Sequence, residues 1–325
     1  MDQQRIPYWD NLKGILIVFV VAGHYLFEFR EQRGIQEVLY AIYIFHMPAF
    51  LFISGYFSRS EKSTSLEALT RIMLWFLLLN FSMMFYAHYI DHKPFSLVNL
   101  YYSSWYLLAL FLYRLTLPLC RKIPFIVAIS FSLSLLIGFI WRIDTILGLQ
   151  KIIALYPFFV AGAKLPTEKM ERATSFLKKH QSAGWAVLVA IVFLSLWLIL
   201  RHTITFREII WDSYEQNADM GTRMTMLILA SSAIGTLLAI APLNRIPLVN
   251  QWGRNSLVIY LTHRIFTLLL VFFYPQLATD ALGWLWLVFA SFITLVVLGS
   301  DTVSRYFSGG MDRLVGAICS RGAPN

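Results

Sequence analysis

Three histidines lie within apolar stretches of the chain, where an ionisable side chain is costly and is therefore a candidate for function. They are His24, His46 and His263, and each lies roughly eight to thirteen residues into its stretch, or about 12–20 Å along a helix. This rise corresponds to the middle of a membrane. A neutral imidazole at that depth can accept a proton from a hydroxyl group and so act as a general base near neutral pH.

The stretch DNLKGILIVFVVAGH carries the strongest geometric signal, because its polar residues fall on one side of a helix. Lys13 and His24 are 11 residues apart, which separates them by roughly 20° around a helix and by about 16 Å along it. Asp10 lies about 40° from His24, on the side away from Lys13, and Glu28 follows His24 by one turn, within reach as a carboxylate partner. The stripe runs from a cation through a buried base to an acid.

This stripe suits acyl transfer from coenzyme A. The phosphates of the donor need a cation at the inner rim of the membrane, and its long pantetheine arm can extend inward toward a buried base. Lys13 would bind and orient the donor beside Asp10, and His24 would take the proton of the attacking hydroxyl. The alternative is that His24 only forms a hydrogen bond with a neighbouring helix, as intramembrane histidines often do.

The other two histidines also lie beside residues that could form a pocket. His46 is followed by Pro48 and Gly55, which predicts a kinked helix with room for a ligand or, equally, a bent helix that only packs. Ser256, Tyr260 and His263 share one helical face, since they are spaced four and then three positions apart. That face indicates either a substrate pocket or hydrogen bonds between helices.

Further candidates lie near the ends of the apolar stretches. Arg71 and Arg254 fall on the same predicted face of the membrane as Lys13, where they either contact the donor's phosphates or only determine topology. Trp105 and Tyr106 fall near the opposite interface, where an aromatic belt is common and stacking against a sugar ring is the functional alternative.

The elements that position these residues follow from composition. The chain of 325 residues is 58% hydrophobic and only 14% charged, which indicates a membrane protein. We predict an all-α bundle in one domain, residues 1–325, with two flexible loops near 164–182 and 201–223 and a sixth span that Pro157 and Gly162 could break. The predicted spans are 12–29, 36–57, 66–89, 100–119, 124–142, 150–165, 183–201, 222–242, 255–274 and 281–300, about ten in all.

The distribution of positive charge predicts the orientation. About two thirds of the 27 lysines and arginines fall on one face, which places that face, the N-terminal segment 1–11 and the tail 301–325 in the cytoplasm. The formal net charge of +9 is scattered over short loops, so it does not indicate nucleic-acid binding. The partner implied by composition is the lipid bilayer.

Several segments, in order along the chain, resemble one family. They are Lys13 to His24 preceded by Asp10, then MPAFLFISGYF, WYLLALF, YPFFVAGAKL and NSLVIYLTH. Together they resemble the acyltransferase-3 family of integral membrane acyltransferases, particularly its fucose 4-O-acetylase-like members.

The resemblance implies a bundle of about ten helices that transfers an acyl group, usually from acetyl-CoA, and no metal. His24 matches the family's catalytic histidine, whereas Lys13 stands where many members have arginine and so loses bidentate hydrogen bonding to phosphate. Arg71 resembles the arginine that follows the second span. The paired-arginine pattern of some members is absent, because Ala68 and Leu74 occupy the flanking positions.

The sequence therefore predicts transfer of an acetyl group from cytoplasmic acetyl-CoA to a hydroxyl of a surface polysaccharide or lipid-linked sugar. Two alternatives stay open. One is a transporter or flippase, against which the absence of a visible internal repeat weighs mildly. The other is an acyltransferase with a non-sugar acceptor or a succinyl donor.

Overall fold

The computed structural model of the protein describes residues 6–32, 34–96, 99–140, 146–201, 206–214, 219–273 and 281–320. Within these ranges the regular structure is helical, which confirms the predicted all-α class. The α-helices are α1 Pro7–Glu28, α2 Ile35–Phe57, α3 Leu66–Tyr89, α4 Trp105–Cys120, α5 Ile126–Leu136, α6 Leu149–Lys164, α7 Thr167–Lys179, α8 Gln181–Leu200, α9 Phe206–Ile209, α10 Met220–Ile240, α11 Pro247–Arg254, α12 Ser256–Phe273, α13 Ala281–Leu298 and α14 Asp301–Ser320. Each predicted span coincides with one of these helices.

Six helices of the described part of the chain are long and apolar enough to cross a membrane: α1, α2, α3, α8, α10 and α13. Shorter apolar helices are Trp105–Cys120, Ile126–Phe139 and Ser256–Leu269. A helix satisfies its own backbone hydrogen bonds, so it can cross the hydrocarbon core. The chain is a multi-pass helical membrane protein. The ends of the predicted spans 124–142 and 255–274, and residues 1–5 and 321–325 of the predicted termini, lie outside the described residues.

The expectation of a broken sixth span is wrong, because α6 is continuous across Pro157 and Gly162. A Cβ atom at Gly162 would overlap the carbonyl group of Phe52 in α2, and one at Gly55 would overlap that of Phe159 in α6. The glycines therefore let two helix backbones touch, and they do not interrupt either helix.

The stretch from Lys164 to Ser182, predicted as a flexible loop, contains the amphipathic helix α7. Met170 is buried, and the ammonium of Lys178 donates a hydrogen bond to the carbonyl oxygen of Ala241. The same ammonium lies 5.4 Å from the ring centroid of Tyr8. Its partial burial lowers the pKa of Lys178. The many charged residues of this segment made it read as a loop in the sequence, although one face of α7 packs against the protein.

Two more helices lie where the sequence predicted none. The predicted tail contains α14, in which Met311 and Val315, four positions apart, are both buried. The short helix α11 begins at Pro247, since proline fits the first turn of a helix, where its missing N–H is not needed. Proline at this position was the available sequence signal for α11.

The described helices belong to two compact units. The first unit is drawn from Met1–Phe50, Glu168–Thr203 and Leu229–Gly309, and the second from Leu51–Thr167, Ile204–Ile228 and Gly310–Asn325. In the first unit, α1 packs against α11, α12 and α13. In the second unit, α4 packs against α3 and α6, and α5 packs against α6. The first unit therefore surrounds the helix that carries the predicted base.

Candidate active site

The contact between α1 and α11 is close enough that backbone touches backbone. A Cβ atom at Gly253 would overlap the carbonyl group of Asp10, and one at Gly14 would overlap that of Val249. Only glycine at both positions permits this approach. The crossing therefore fixes the N-terminal end of α1 against the short helix α11.

Asn11 joins α1 to the chain that leads into α11. Its side chain is fully buried, and its amide nitrogen donates to the carbonyl oxygens of Pro242 at 3.0 Å and Asn244 at 2.7 Å. Its amide oxygen accepts from the backbone N–H of Ile246 at 3.3 Å. A buried amide with all these bonds satisfied holds the segment in one position.

Two cations lie at this crossing. The ammonium of Lys13 forms an ion pair with the buried carboxylate of Asp10, with 2.7 Å between nitrogen and oxygen. Arg254 follows Gly253 and forms an ion pair with Asp301 at 3.6 Å, and its buried Nε atom has no hydrogen-bond partner in the described structure. A lysine ammonium has three N–H donors and can contact more than one acceptor at a time.

The predicted histidines of the first unit come together farther along α1. The ring centroids of His24 and His263 are 4.9 Å apart, and Tyr43 lies 6.3 Å from His24 and 4.7 Å from His46. Tyr260 lies 5.7 Å from His263, one turn earlier in α12. Helices α1, α2 and α12 thus each contribute an imidazole to one cluster, which we call the imidazole cluster.

Hydrogen bonds determine which ring nitrogen of two histidines can act as a base. Nδ1 of His263 lies 3.0 Å from the carbonyl oxygen of Ile259 and 2.8 Å from that of Tyr260. Nδ1 of His46 lies 2.9 Å from the carbonyl oxygen of Ile42. Carbonyl oxygens only accept, so in neutral His46 and His263 the proton is on Nδ1 and the lone pair on Nε2. Nε2 of His263 is buried without a hydrogen-bond partner.

A buried ion pair lies one turn beyond His24. The guanidinium of Arg264 is 2.6 Å from the carboxylate of Glu28, and Arg264 is almost fully buried. The contact is electrostatic, because that carboxylate oxygen does not meet the angular requirements of a hydrogen bond. Arg264 also lies 5.8 Å from the ring centroid of Phe27. The charge next to His263 is therefore balanced by the carboxylate that follows His24.

Sequence reasoning missed three residues of this site. Tyr43 precedes His46 by three positions, as Tyr260 precedes His263, and this repeated spacing is the signal that was available. Arg264 is a charge inside an apolar span, which is a signal by itself. Asn11 carried no periodic signal, because its partners are distant backbone carbonyl groups.

Three other predicted residues lie outside the imidazole cluster. Ser256 is the first residue of α12 and half-buried, about 10 Å along the helix from His263. Arg71 belongs to the second unit, where it forms ion pairs with Glu67 at 3.2 Å and with Asp312. Trp105 also belongs to the second unit and is the first residue of α4.

No group of three or more His, Cys, Asp or Glu side chains is placed to hold a metal ion within the residues that the structure describes. The imidazole cluster presents ring nitrogens and tyrosine hydroxyls next to one buried ion pair.

Comparisons with known proteins agree with the resemblance. The acyltransferase-3 family, described as an acyltransferase domain, matches residues 6–299. Nodulation protein NolL of Sinorhizobium fredii (strain NBRC 101917 / NGR234) is 28% identical over 206 residues, or 55% of this chain, and the chain spans only 54% of that relative's length. No solved structure gives a significant match. Because the family match covers nearly the whole chain, the protein belongs to the acyltransferase-3 family.

Proposed function

We propose that the protein transfers an acetyl group from cytoplasmic acetyl-CoA to a hydroxyl of a surface polysaccharide or of its lipid-linked sugar precursor. The observation that carries this proposal is the packing of the His24 ring against the His263 ring, with 4.9 Å between their centroids. His24 lies on α1, the helix that also carries Lys13. It supports a proton acceptor at His24 and an anion-binding group at Lys13, about 16 Å apart along α1.

Lys13 and Arg254 bind the phosphates of the donor in this proposal. Asp10 holds the Lys13 ammonium in place through its ion pair, and the buried Nε of Arg254 offers a further donor. Arg71 of the second unit, predicted to contact the donor, forms ion pairs with two acidic residues there. An anion on the two cations of the crossing would leave the pantetheine arm free to extend along α1.

In the reaction step, the oxygen of the acceptor hydroxyl attacks the carbonyl carbon of the thioester. His24 accepts the hydroxyl proton as the new C–O bond forms, the C–S bond breaks, and the same imidazole returns the proton to the leaving thiolate. The products are an acetyl ester and free coenzyme A. Nε2 of His263, as an acceptor without a partner, would accept a hydrogen bond from a second hydroxyl of the acceptor, and Tyr260 and His46 would line the site.

The test is to supply labelled acetyl-CoA to membrane vesicles with and without the protein. We expect release of one coenzyme A thiol per acetyl group that appears on a glycan, and an acetylated glycan in the mass spectrum of cells that express the protein. Movement of a substrate across the vesicle membrane without consumption of acetyl-CoA would point to a transporter and contradict the proposal. Transfer from succinyl-CoA, or to a lipid without sugar, would correct the donor or the acceptor.

Lys13→Met is expected to raise KM for acetyl-CoA roughly tenfold or more, because a charge-assisted contact contributes about 1.5–3 kcal/mol. Lys13→Arg should keep or lower KM, since a guanidinium binds phosphate bidentately. The measurement is initial velocity against donor concentration at saturating acceptor. An unchanged KM in Lys13→Met would remove Lys13 from the donor site, and Lys122→Met, at an exposed position, is the matched control.

A further inference from the structure

A cavity of about 350 Å³ lies in the second unit, separate from the residues used above except for Trp105. Its volume falls in the range of roughly 300–1,000 Å³ that is usual for small-molecule sites. The residues that determine its chemistry are Lys93, Tyr101, Tyr102, Trp105, Lys151 and Asp212. Aromatic rings, two cations and one acid therefore face a common space.

Both lysines of the cavity lie over aromatic rings. The ammonium of Lys151 is 5.5 Å from the ring centroid of Trp105, and that of Lys93 is 5.3 Å from the ring centroid of Tyr102. Lys93 also forms an ion pair with Asp91 at 3.2 Å. These contacts direct positive charge toward the cavity while the rings provide apolar surface beside it.

Two helices begin at the cavity. Trp105 is the first residue of α4, and Gly148, which lines the cavity, is the N-cap of α6. Neither helix has a side-chain cap hydrogen bond at this end. A helix N-terminus carries partial positive charge and backbone N–H groups that favour an anion. The two helix ends and the two ammonium groups thus add fields of the same sign.

The segment before α4 is fixed by a buried amide. The side-chain oxygen of Asn80 in α3 accepts from the backbone N–H of Tyr101 at 3.1 Å and from the hydroxyl of Ser104 at 2.7 Å. The hydroxyl of Tyr101 donates to the carbonyl oxygen of Pro94 at 3.1 Å. These bonds hold the aromatic wall in place before any ligand binds.

The segment that carries Asp212 is held in place by a buried cation. Arg223 is fully buried, donates to the carbonyl oxygen of Asp212, and lies 5.5 Å from the ring centroid of Trp211 and 5.3 Å from that of Tyr214. The backbone N–H of Tyr214 donates to the carbonyl oxygen of Gly138 at 2.8 Å. The acid of the cavity is therefore presented by a rigid segment.

Left-handed backbone concentrates around this cavity. Among the described non-glycine residues, the positive φ angles are at His92, Tyr102, Phe125, Leu147 and Trp211. Tyr102 lines the cavity, and the neighbours of His92, Leu147 and Trp211 line it as well. Such conformations are uncommon for bulky residues and collect at ligand sites, where the surrounding structure holds them.

We propose that this cavity binds an anionic carbohydrate, a sugar ring that carries a phosphate or carboxylate. Lys151 and Lys93 contact the anion with the two helix N-termini, Trp105 and Tyr101 provide ring faces for the sugar, and Asp212 accepts hydrogen bonds from sugar hydroxyls. Binding of the sugar in the second unit does not depend on the proposed acyl transfer.

The test is calorimetric titration of the purified protein in lipid nanodiscs. The probes are glucose 1-phosphate, galactose 1-phosphate and glucuronate, and the comparison ligands are methyl glucoside and inorganic phosphate. We expect saturable binding of at least one anionic sugar, with at least tenfold weaker binding by Lys151→Met and by Trp105→Ala. Lys151→Arg should remain within about threefold of the wild type, as should the exposed control Lys122→Met. Phosphate sugars alone, or glucuronate alone, would identify which anion the site takes.

His24→Ala should bind the same sugar unchanged, so loss of acetyl transfer does not affect this test. The proposal is overturned if none of the three anionic sugars binds, or if Lys151→Met binds as tightly as the wild type. If methyl glucoside binds as tightly as the anionic sugars, the site does not require an anion. If inorganic phosphate binds as tightly as the anionic sugars, the site does not require a sugar. Lys151→Arg keeps the test decisive should Lys151→Met fail to fold.

Discussion

His24→Ala is expected to lower kcat for acetyl transfer by about 10²- to 10⁴-fold, the usual contribution of a positioned general acid–base group. The side chain is half-buried and its ring lies against His263, so its removal takes away the proposed proton acceptor and leaves no closed cavity in the core. The measurement is single-turnover transfer from labelled acetyl-CoA. The same preparation should bind coenzyme A with unchanged affinity, because Lys13 and Arg254 are untouched.

Two further variants make the result specific. His24→Asn keeps a hydrogen-bonding side chain of similar size but cannot accept the hydroxyl proton, so it should be as inactive as His24→Ala. His180→Ala, at an exposed position after α7, should transfer at the wild-type rate. Transfer by His24→Asn at more than a tenth of the wild-type rate would mean that His24 positions the acceptor and that another group takes the proton.

The sequence predicted the helices and the common depth of the histidines for a simple physical reason. A span must be long, apolar and helical, so its position and the height of each residue in it follow from counting at 1.5 Å per residue. His24 and His263 lie 239 positions apart in sequence, yet each was placed mid-membrane by its own span alone. The contact between them follows once the helices pack side by side.

Partners across helices were not predictable in the same way. Glu28 was assigned to His24 because it follows by one turn, and the structure adds Arg264 of α12 as its ion-pair partner. Side-chain pairs between helices depend on how each helix is rotated toward its neighbour. A single sequence shows only which residues of one helix share a face. Asn11 was missed for the same reason, since its acceptors are backbone atoms near residues 242–244.

The cavity of the second unit lies furthest from what sequence reasoning can reach. Only Trp105 was predicted, from its place near a membrane interface. Lys93 and Asp212 come from connections whose backbone follows no period, whereas Lys151 lies in the first turn of α6. Left-handed residues such as Tyr102 cannot be recognised from residue type. Loops that carry ligand sites are specified by tertiary contacts, of which the Asn80 and Arg223 hydrogen bonds are examples.

Arg264→Met is expected to destabilise the protein by about 3–5 kcal/mol, because it leaves the Glu28 carboxylate in a largely buried position without its ion-pair partner. An unpaired charge inside a membrane protein is costly, whereas methionine replaces most of the apolar volume of arginine. The measurement is the free energy of unfolding of the purified protein in mixed detergent micelles, read by a structural probe such as circular dichroism.

The double variant Glu28→Gln with Arg264→Met should recover most of the lost stability, since it removes both charges together. Arg264→Lys, which keeps a cation but loses the planar guanidinium, should fall between the wild type and Arg264→Met. The coupling energy from the complete cycle is expected to be at least about 1 kcal/mol and favourable, as for residues in direct contact. Additive effects of the two single changes would show that the pair contributes nothing as a pair.

The cycle also separates support of the fold from support of the site. Arg264 follows His263 directly, and Glu28 lies one turn after His24, so the ion pair links the two helices that carry the contacting imidazoles. If the pair positions these rings, the double variant should regain stability but still transfer acetyl groups at least tenfold more slowly than the wild type, with an unchanged KM for acetyl-CoA. A double variant that regains both stability and kcat would mean that α1 and α12 hold the imidazoles in register through apolar packing alone.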